Sequence, residues 1–233
     1  MRQIVVDTET TGLETARGHR IIEIGCVELI DRRRTDNSFH HYVNPERSID
    51  EGALAVHGIS EEFLASKPPF SDIANDFINF VRDAEVIIHN APFDVGFIDY
   101  ELGKLGKSWG RFEDYCGVLD SLVLAREKHP GQRNSLDALC SRYGVDNSKR
   151  DLHGALLDAR ILSDVYLALT GGQTALALDA ISQERRVERQ PRARAECGRL
   201  KVVYADEREL DAHVERLSQI DAVGGDVPWD AWK

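Results

Sequence analysis

The sequence lacks three features that would each assign it to a particular class of protein. No apolar run approaches the roughly 18–20 residues that a membrane-spanning helix requires. The first residues lack the charged-then-apolar pattern of a secretory signal, because Asp7 and Glu9 interrupt it. The four cysteines lie far apart without a C-x-x-C pair, which favours reduced thiols over a disulfide framework or a zinc site. We therefore expect a cytoplasmic protein without membrane association.

Positive charge is also in short supply. The chain has 29 Lys and Arg residues against 40 Asp and Glu residues, a formal net charge of -11. The electrostatic field of such an acidic protein attracts nucleic acid poorly. The composition therefore argues against a stand-alone, high-affinity DNA binder. A nucleic-acid substrate is still allowed if metal ions, backbone amides and a few basic side chains bind it locally. With 233 residues, the chain fits one globular domain plus an extension.

Short β-branched runs alternating with amphipathic patterns predict a mixed α/β sheet flanked by helices over residues 1–170. The first three strands are expected to form an antiparallel meander, and the later strands alternate with helices. Predicted strands cover 2–7, 21–30, 39–43, 86–88 and 115–119. Predicted helices cover 53–57, a segment after Ser60, a segment capped by Ser71 and Asp72, one from Pro92 to Gly103, one ending at Arg126, then 136–143 and 154–169.

Two carboxylates, Asp7 and Glu9, follow the apolar run of residues 4–6. Residues i and i+2 of a strand project from the same face, so these acids are expected side by side at the end of a buried strand. Neighbouring carboxylates repel each other unless something neutralises them, and Mg²⁺ or Mn²⁺ does so through oxygen ligands. The alternative is an exposed strand end with solvated acids, and this motif alone does not decide between the two.

Two further acids are predicted near helix starts. Asp94 lies in the first turn of the helix that follows a buried strand, and Asp158 lies in the second turn of the helix that follows His153. Taken separately, these patterns also fit an acid that caps a helix dipole and a solvated helix start. Four acids converging on one site would suit two divalent ions about 3.5–4 Å apart. His153, with a reference pKa of ~6.5, could take a proton from water near neutral pH.

Three segments stand out by their order and spacing: Asp7-Thr8-Glu9-Thr10-Thr11-Gly12-Leu13, then His89-Asn90-Ala91-Pro92-Phe93-Asp94-Val95-Gly96-Phe97, then His153 with Asp158. They resemble the motifs of the DEDDh 3′→5′ exonucleases, the DnaQ-like family. Within that family the similarity is greatest to the epsilon proofreading subunits of bacterial DNA polymerase III, and it covers essentially all of 1–170. Further similarity lies in Ile21-Ile22-Glu23-Ile24-Gly25, Val56-His57-Gly58-Ile59 and Ser135-Leu136-Asp137-Ala138-Leu139-Cys140.

The resemblance implies a ribonuclease H-like five-stranded fold and a two-metal exonuclease that uses Mg²⁺ or Mn²⁺. The substrate would be a DNA 3′ end, from which mispaired nucleotides leave as 5′-monophosphates. By the same resemblance Asp7 bridges both metals, Glu9 and Asp158 complete one site, Asp94 serves the other, and His153 is the general base. Residues expected against the terminal nucleotide are Thr10, Leu13, Val56, His57, Asn90 and Phe93.

The remaining chain is expected to be a flexible C-terminal tail that binds partners. Residues 171–182 resemble a sliding-clamp-binding peptide, with Gln173, Leu176 and Leu178 as contacts. Residues 183–201 form an Arg-rich linker, and 202–233 resemble a tail that binds the alpha subunit of DNA polymerase III through Trp229 and Trp232. A frayed helix end, or a small helix folded back on the domain, would explain the same residues. A theta-like subunit is a further possible partner.

Two other functions fit parts of the sequence. A DEDDh exonuclease acting on RNA ends or short oligonucleotides would share the motifs but would usually lack the clamp-like peptide and the tail. A structural adaptor joining polymerase to clamp would share the tail, with catalysis secondary. An Asp7→Ala variant that supports normal processivity would separate the adaptor role from the catalytic role.

Overall fold

A computed structural model describes residues 1–148, 150, 152–171 and 205–222. The chain divides into two compact units, Met1–Leu176 and Ala177–Lys233. The first unit is built on a five-stranded mixed sheet in the order β3-β2-β1-β4-β5, which confirms the predicted fold class. The strands are β1 (Arg2–Thr10), β2 (Ile21–Ile30), β3 (Arg33–Tyr42), β4 (Glu85–Ile88) and β5 (Gly117–Asp120). The pairs β1–β2 and β2–β3 are antiparallel, whereas β1–β4 and β4–β5 are parallel.

Helices cover both faces of this sheet. They are α1 (Glu51–His57), α2 (Glu61–Leu64), α3 (Phe70–Val81), α4 (Ala91–Leu105), α5 (Ser121–Lys128), α6 (Leu136–Tyr143) and α7 (Ala155–Thr170). Single 3₁₀ turns lie at Thr15–Arg17, Lys107–Trp109 and Phe112–Asp114.

The alternation of β1 divides the core between the two faces. Ile4 and Val6 pack in one apolar cluster with Phe77 of α3, whereas Val5 packs in the other with Leu162 of α7. Because both faces are covered, the strand carries a continuous apolar run instead of alternating apolar and polar residues. Asp7 and Glu9 share the odd-numbered face with Val5, so they point toward the side of the sheet that α7 covers.

The second strand has its predicted bounds, whereas the first and third strands are longer than predicted. β1 continues to Thr10, which pairs with Ile21 of β2, so Asp7 and Glu9 lie inside the strand and not at its end. β3 begins at Arg33, because the positive φ angles of Asp31 and Arg32 close a two-residue turn directly after β2. Arg33 and Arg34, which precede the predicted strand of residues 39–43, pair with Ile30 and Leu29 as strand residues because this turn is short.

Two predicted helix ends were wrong. α3 begins at Phe70 with Pro69 before it, because the buried Phe70 side chain anchors the first turn to the core. α4 passes through Gly103 and ends before Gly106, whose φ of +126° stops the helix. The predicted start of α6 is confirmed, since Ser135 Oγ accepts a hydrogen bond from the Ala138 amide at 3.3 Å.

The described part of the second unit is α8 (Glu207–Ala222). Reciprocal hydrogen bonds between Asp206 and Glu209 close its first turn, and Leu210 and Val214 are exposed. None of the helices in the described ranges is long and apolar enough to cross a membrane. The residues predicted to bind the clamp and the polymerase lie outside the described residues; they are Gln173, Leu176, Leu178, Trp229 and Trp232.

Candidate active site

The first two acids lie on the central strand of the sheet, against the antiparallel strand β2. Asp7 pairs with Gly25 of β2, and Glu9 pairs with Glu23. Glu9 is 9% exposed and Glu23 is 2% exposed, so two buried carboxylates face each other across the strands. A buried pair of this kind needs a positive charge or shared protons.

The third acid reaches the same place because α7 packs unusually close to β2. A Cβ atom on Gly25 would lie 2.2 Å from the Leu156 backbone nitrogen, so only glycine fits under the first turn of α7. Asp158 follows in that first turn, not in the second turn as predicted, and it is 2% exposed. The contact at Gly25 therefore lets α7 place Asp158 beside Asp7 and Glu9.

Asp94 approaches from α4, on the other side of β1. Its Oδ1 accepts hydrogen bonds from the Thr8 amide at 3.1 Å and from Thr8 Oγ1 at 2.7 Å. Asn90, with a left-handed φ of +69°, precedes the helix, and its amide donates to Asp120 Oδ1 at 3.1 Å. These bonds fix the start of α4. Asp94, which is only 4% exposed, is therefore held in a defined position.

His153 lies at the rim of this acidic group. Donor atoms from Glu9, His153 and Asp158 all lie within 4.8 Å of one another, close enough to share one metal ion. His153 Nδ1 is 3.4 Å from Asp158 Oδ2, and the His153 amide donates to the Val56 carbonyl at 3.1 Å. The imidazole is 44% exposed, so it is accessible from solvent.

Burial dominates the electrostatics of the acids. It raises the pKa of Asp7 well above its usual range, and the neighbouring charges of Asp94, Glu9 and Asp158 raise it further. Burial, followed by the charge of Asp158, raises the pKa of Glu9 to about 8, and burial raises the pKa of Asp94 to about 7. Positive charge supplied from outside the acid group would therefore favour the ionised site.

The described residues supply one such charge from within the protein, on Arg150. Its Nε and Nη2 atoms donate to Asp158 Oδ1 and Oδ2 at 2.6 and 2.7 Å, a parallel fork on both carboxylate oxygens. Nη1 donates to Asp137 Oδ1 at 2.6 Å, and Nη2 lies 3.1 Å from His153 Nδ1. Burial alone lowers the pKa of Arg150, but the hydrogen bonds and negative charges of Asp158 and Asp137 together outweigh burial and raise the pKa.

A cleft of about 450 Å³ opens beside Glu9. Five of the six predicted nucleotide-binding residues line it, namely Thr10, Leu13, Val56, His57 and Phe93. Asn90 lines a neighbouring cavity of about 440 Å³ that shares Leu13 and Phe93 with the cleft. Leu13 is 79% exposed, so a large apolar side chain is accessible to solvent at the opening of the cleft.

Two polar residues that line the cleft, Thr10 and His57, are held by hydrogen bonds to nearby backbone groups. Thr10 Oγ1 donates to the Gly12 carbonyl at 2.7 Å, which closes the turn after β1. His57 accepts a hydrogen bond from the Ile59 amide on Nδ1, while its buried Nε2 has no partner among the described residues. Burial lowers the pKa of His57, so the imidazole is neutral and leaves one polar atom for a ligand.

Three residues of the site were not identified from the sequence. Gly25 lies in a quoted motif, but only the packing of α7 shows why it must be glycine. Thr8 is the second residue of the first motif, and its bond to Asp94 depends on how α4 docks. Arg150 is one of several basic residues before His153, and no spacing rule distinguishes it from its neighbours.

With the site described, similarity to known proteins becomes informative. A family model described as exonuclease matches residues 4–166, most of the chain and all the acids of the site. The DNA polymerase III subunit epsilon of Salmonella typhimurium is 52% identical over 237 residues, covering 99% of this chain and 98% of that protein. This chain belongs to the epsilon exonuclease family. The epsilon subunit of Escherichia coli K12 is 50% identical over the same length, which confirms the resemblance predicted from the motifs.

Solved structures agree on the fold of this epsilon-family chain. Exonuclease X in complex with 5′-overhanging duplex DNA is 27% identical, with a TM-score of 0.53, and covers 73% of this chain and 94% of that chain. The nuclease domain of 3′hExo, a DEDDh family member bound to rAMP, is 17% identical with a TM-score of 0.61. It covers 71% of this chain and 90% of its own. The second likeness concerns the fold alone.

The donor set fits the divalent metals that the epsilon family's DEDDh fold implies. Asp7, Glu9, Asp94 and Asp158 offer carboxylate oxygens, the ligands that hard divalent cations prefer. The raised pKa values of the first three show that these acids need positive charge to be ionised together at neutral pH. The expectation of a metal-dependent enzyme is therefore consistent with the electrostatics of the site.

Proposed function

We propose that this epsilon-family exonuclease removes single nucleotides from DNA 3′ ends with two divalent ions, Mg²⁺ or Mn²⁺. Asp7, Glu9 and Asp158 would hold one ion, and Asp7 with Asp94 would hold the other. The observation that carries the proposal is the convergence of four acids, all but Asp7 at most 9% exposed, at the centre of the sheet. When bound, the ions activate a water and stabilise the leaving oxygen of the phosphodiester.

The chain's own residues supply the proton transfer and the orientation. His153, at the rim of the acids and exposed, takes the proton of the attacking water. Thr8 holds Asp94 through two hydrogen bonds, and Gly25 sets the distance between α7 and β2, the strand that pairs with Asp7. The four acids are thus held by three elements, β1, α4 and α7, which keeps the site in place before substrate binds.

The cleft beside Glu9 would hold the terminal nucleotide. Exposed Leu13 and half-exposed Val56 offer apolar surface to a base, and His57 Nε2 offers a polar contact. Asn90 and Phe93 would contact the nucleotide from the neighbouring cavity. A frayed, mispaired end enters such a cleft more easily than a paired end, which would make the enzyme a proofreader that releases 5′-monophosphates.

The proposal is tested with a 5′-labelled primer on a template, carrying a matched or a mismatched 3′ end, and with an RNA strand in parallel. Digestion is followed in Mg²⁺, in Mn²⁺ and in EDTA, for the native chain and for Asp7→Asn. An Asp76→Asn variant, which removes an exposed acid from α3, is the matched control.

We expect stepwise loss of single DNA nucleotides, fastest at the mismatch, dependent on the metal and abolished only by Asp7→Asn. Faster digestion of RNA would instead favour an enzyme of RNA ends. Digestion that survives in EDTA, or in Asp7→Asn, would contradict metal-assisted hydrolysis at this site.

We further propose that the chain works in the cytoplasm as part of a replicase, as its relatives' name indicates. The relatives called DNA polymerase III subunit epsilon match over 98% of their own length, so the similarity continues beyond residues 1–170. Residues 202–233, with Trp229 and Trp232, would bind the alpha subunit, and Gln173, Leu176 and Leu178 would bind the sliding clamp. A theta-like subunit is a third candidate partner.

These contacts are separable by mutation. Trp229→Ala with Trp232→Ala should abolish co-elution with the alpha subunit, while Gln173→Ala with Leu176→Ala should weaken only clamp binding. Both variants should digest free primer at the native rate. Unchanged co-elution and clamp binding would remove the assigned roles of these residues without affecting the exonuclease proposal.

A further inference from the structure

Arg150 already places a cation in the acidic site. Its guanidinium fork uses both oxygens of Asp158, at 2.6 and 2.7 Å, and the side chain is 8% exposed. A parallel fork takes the converging lone pairs of the carboxylate, the same pairs that a chelated metal ion uses. Arg150 and a divalent ion are therefore alternative partners for this face of Asp158.

The same guanidinium also engages the proposed base. Arg150 Nη2 lies 3.1 Å from His153 Nδ1, and a guanidinium has donors only, so Nδ1 is the acceptor in this contact. In a neutral imidazole the ring hydrogen then lies on Nε2, and neither ring nitrogen is free to accept another proton. His153 can act as a base only after this contact with Arg150 is broken.

The guanidinium overlaps with the metal-binding geometry of the site. Glu9, His153 and Asp158 are the three residues whose donor atoms lie within 4.8 Å of one another, and Arg150 bonds two of them. Its third anchor is the largely exposed Asp137 of α6, which lies outside this group. Arg150 can therefore keep its bond with Asp137 while it withdraws from Asp158.

We infer that Arg150 is a displaceable internal cation, which neutralises Asp158 until a divalent ion takes its place and whose withdrawal frees His153 as the base. This inference rests on the proposed two-metal function. Arg150 is thus a positioning residue, and it couples the arrival of the metal to the readiness of the base.

If Arg150 assists metal binding instead of competing with the metal, its substitution should change the metal affinity in the opposite direction. If the guanidinium only orients Asp158 while the metal binds other lone pairs, its removal should weaken metal binding by about 10–100-fold. If it competes with the metal, removal should strengthen binding. With the competing contact formed about nine-tenths of the time, the gain is about tenfold.

The experiment is calorimetric titration of the full-length chain with Mn²⁺ after treatment with EDTA and dialysis. The variants are Arg150→Gln, Arg150→Lys, which keeps the charge but loses the fork, and Asp158→Asn. Arg34→Gln is the matched control, because Arg34 pairs with Asp164 of the same helix at 3.0 Å, away from the acids. It removes one positive charge near α7 without touching Asp158.

We expect Mn²⁺ to bind Arg150→Gln about tenfold more tightly than the native chain, Arg150→Lys to an intermediate degree, and Arg34→Gln as the native chain does. Equal or weaker binding by Arg150→Gln would overturn the inference. Failure of the native chain to bind Mn²⁺ would instead overturn the two-metal proposal, so the two failures are distinguishable.

Thermal unfolding supplies a second measurement. Arg150→Gln leaves Asp158 buried without its counter-ion, so its Tm should fall in EDTA and recover toward the native value in saturating Mn²⁺. A deficit of equal size in both conditions would show a merely structural role and overturn the inference. If Arg150→Gln fails to fold, Arg150→Lys decides the question by the same comparison.

Discussion

Gly25 lies directly beneath the Leu156 amide, where a Cβ atom would come within 2.2 Å of the backbone nitrogen. This contact joins the strand that pairs with Asp7 to the helix that carries Asp158. A glycine, which has no side chain, is therefore part of the structure that brings the acids together. Gly25 affects the site only through steric packing, because it lets α7 lie close to β2. Substitution of this glycine should therefore disturb the position of Asp158.

The Gly25→Ala variant should push the start of α7 away from the sheet. We expect a loss of about 1–3 kcal/mol in the free energy of unfolding, as for overpacking in a core, and weaker Mn²⁺ binding because Asp158 moves. Urea denaturation and calorimetric titration measure the two effects. Gly103→Ala, in α4 with no atom within 4 Å of the added Cβ, should instead gain about 0.5–1 kcal/mol. Native metal affinity in Gly25→Ala would count against this role.

Thr8 should matter for activity more than its small size suggests. Replacing it with Val keeps the shape but removes the 2.7 Å hydrogen bond to Asp94, at a cost of about 1 kcal/mol in stability. Exonuclease activity should fall as Asp94 loses its orientation, and Thr8→Ser should keep most of it. Thr35→Val breaks a comparable bond to Glu28, away from the site, and should lose stability without losing activity. If both valine variants retain full activity, the hydroxyl of Thr8 is dispensable.

His153→Ala should separate chemistry from metal binding. Removing a general base costs about 10²–10⁴-fold in kcat, while the four carboxylates that would hold the ions remain. Single-turnover digestion in saturating Mg²⁺ measures the rate, and calorimetry measures the affinity for Mn²⁺. His41→Ala, on the exposed face of β3, is the control and should digest primer normally. A rate within a few-fold of the native value would remove His153 from the role of base.

The metal-free protein should lose stability as pH rises. Glu9 titrates near 4.5 when unfolded and at about 8 when folded, and Asp94 near 3.8 and at about 7. A raised folded pKa means that the native state binds more protons, so the free energy of unfolding falls across this window as pH increases. In EDTA, urea denaturation at pH 5, 6, 7 and 8 should show this decline, and saturating Mg²⁺ should reverse it.

A carboxylate variant isolates the contribution of Glu9 to this slope. Glu9→Gln should flatten the decline between pH 5 and 8 because it removes one titrating group. Glu127→Gln, which changes an exposed acid of α5, should leave the slope as it is. A stability in EDTA that stays level or rises over the window would contradict the raised pKa values.

The sequence predicts those parts of the site that depend on local spacing. The i, i+2 rule gives Asp7 and Glu9 a common face, and the apolar run before them gives the central strand. Arg150 and Thr8 could not be found in this way, because their bonds depend on how α7 and α4 dock. The end of α4 was misplaced for a related reason: buried side chains in the helix outweigh the cost of Gly103, which is about 1 kcal/mol.

The sequence also shows which acidic residues occur, but not how their negative charges interact in the folded protein. In the sequence Glu23 is only one residue of a motif, yet it pairs opposite Glu9, and its charge raises the pKa of that acid after burial and the charge of Asp158. A pairing register and the depth of burial are tertiary properties. Together, the register and the burial make the acids require a positive charge, and composition alone does not show this.

The order of the acids along the chain has a consequence for synthesis. A nascent chain that has emerged as far as Tyr143 contains every strand of the sheet but lacks Asp158 and the helix that carries it. The two acids of β1 therefore lack their partner from α7 until that helix leaves the ribosome. A fragment truncated there would contain all five strands of the sheet and still be unable to cut DNA. The late position of α7 thus delays nuclease activity until this unit has been made.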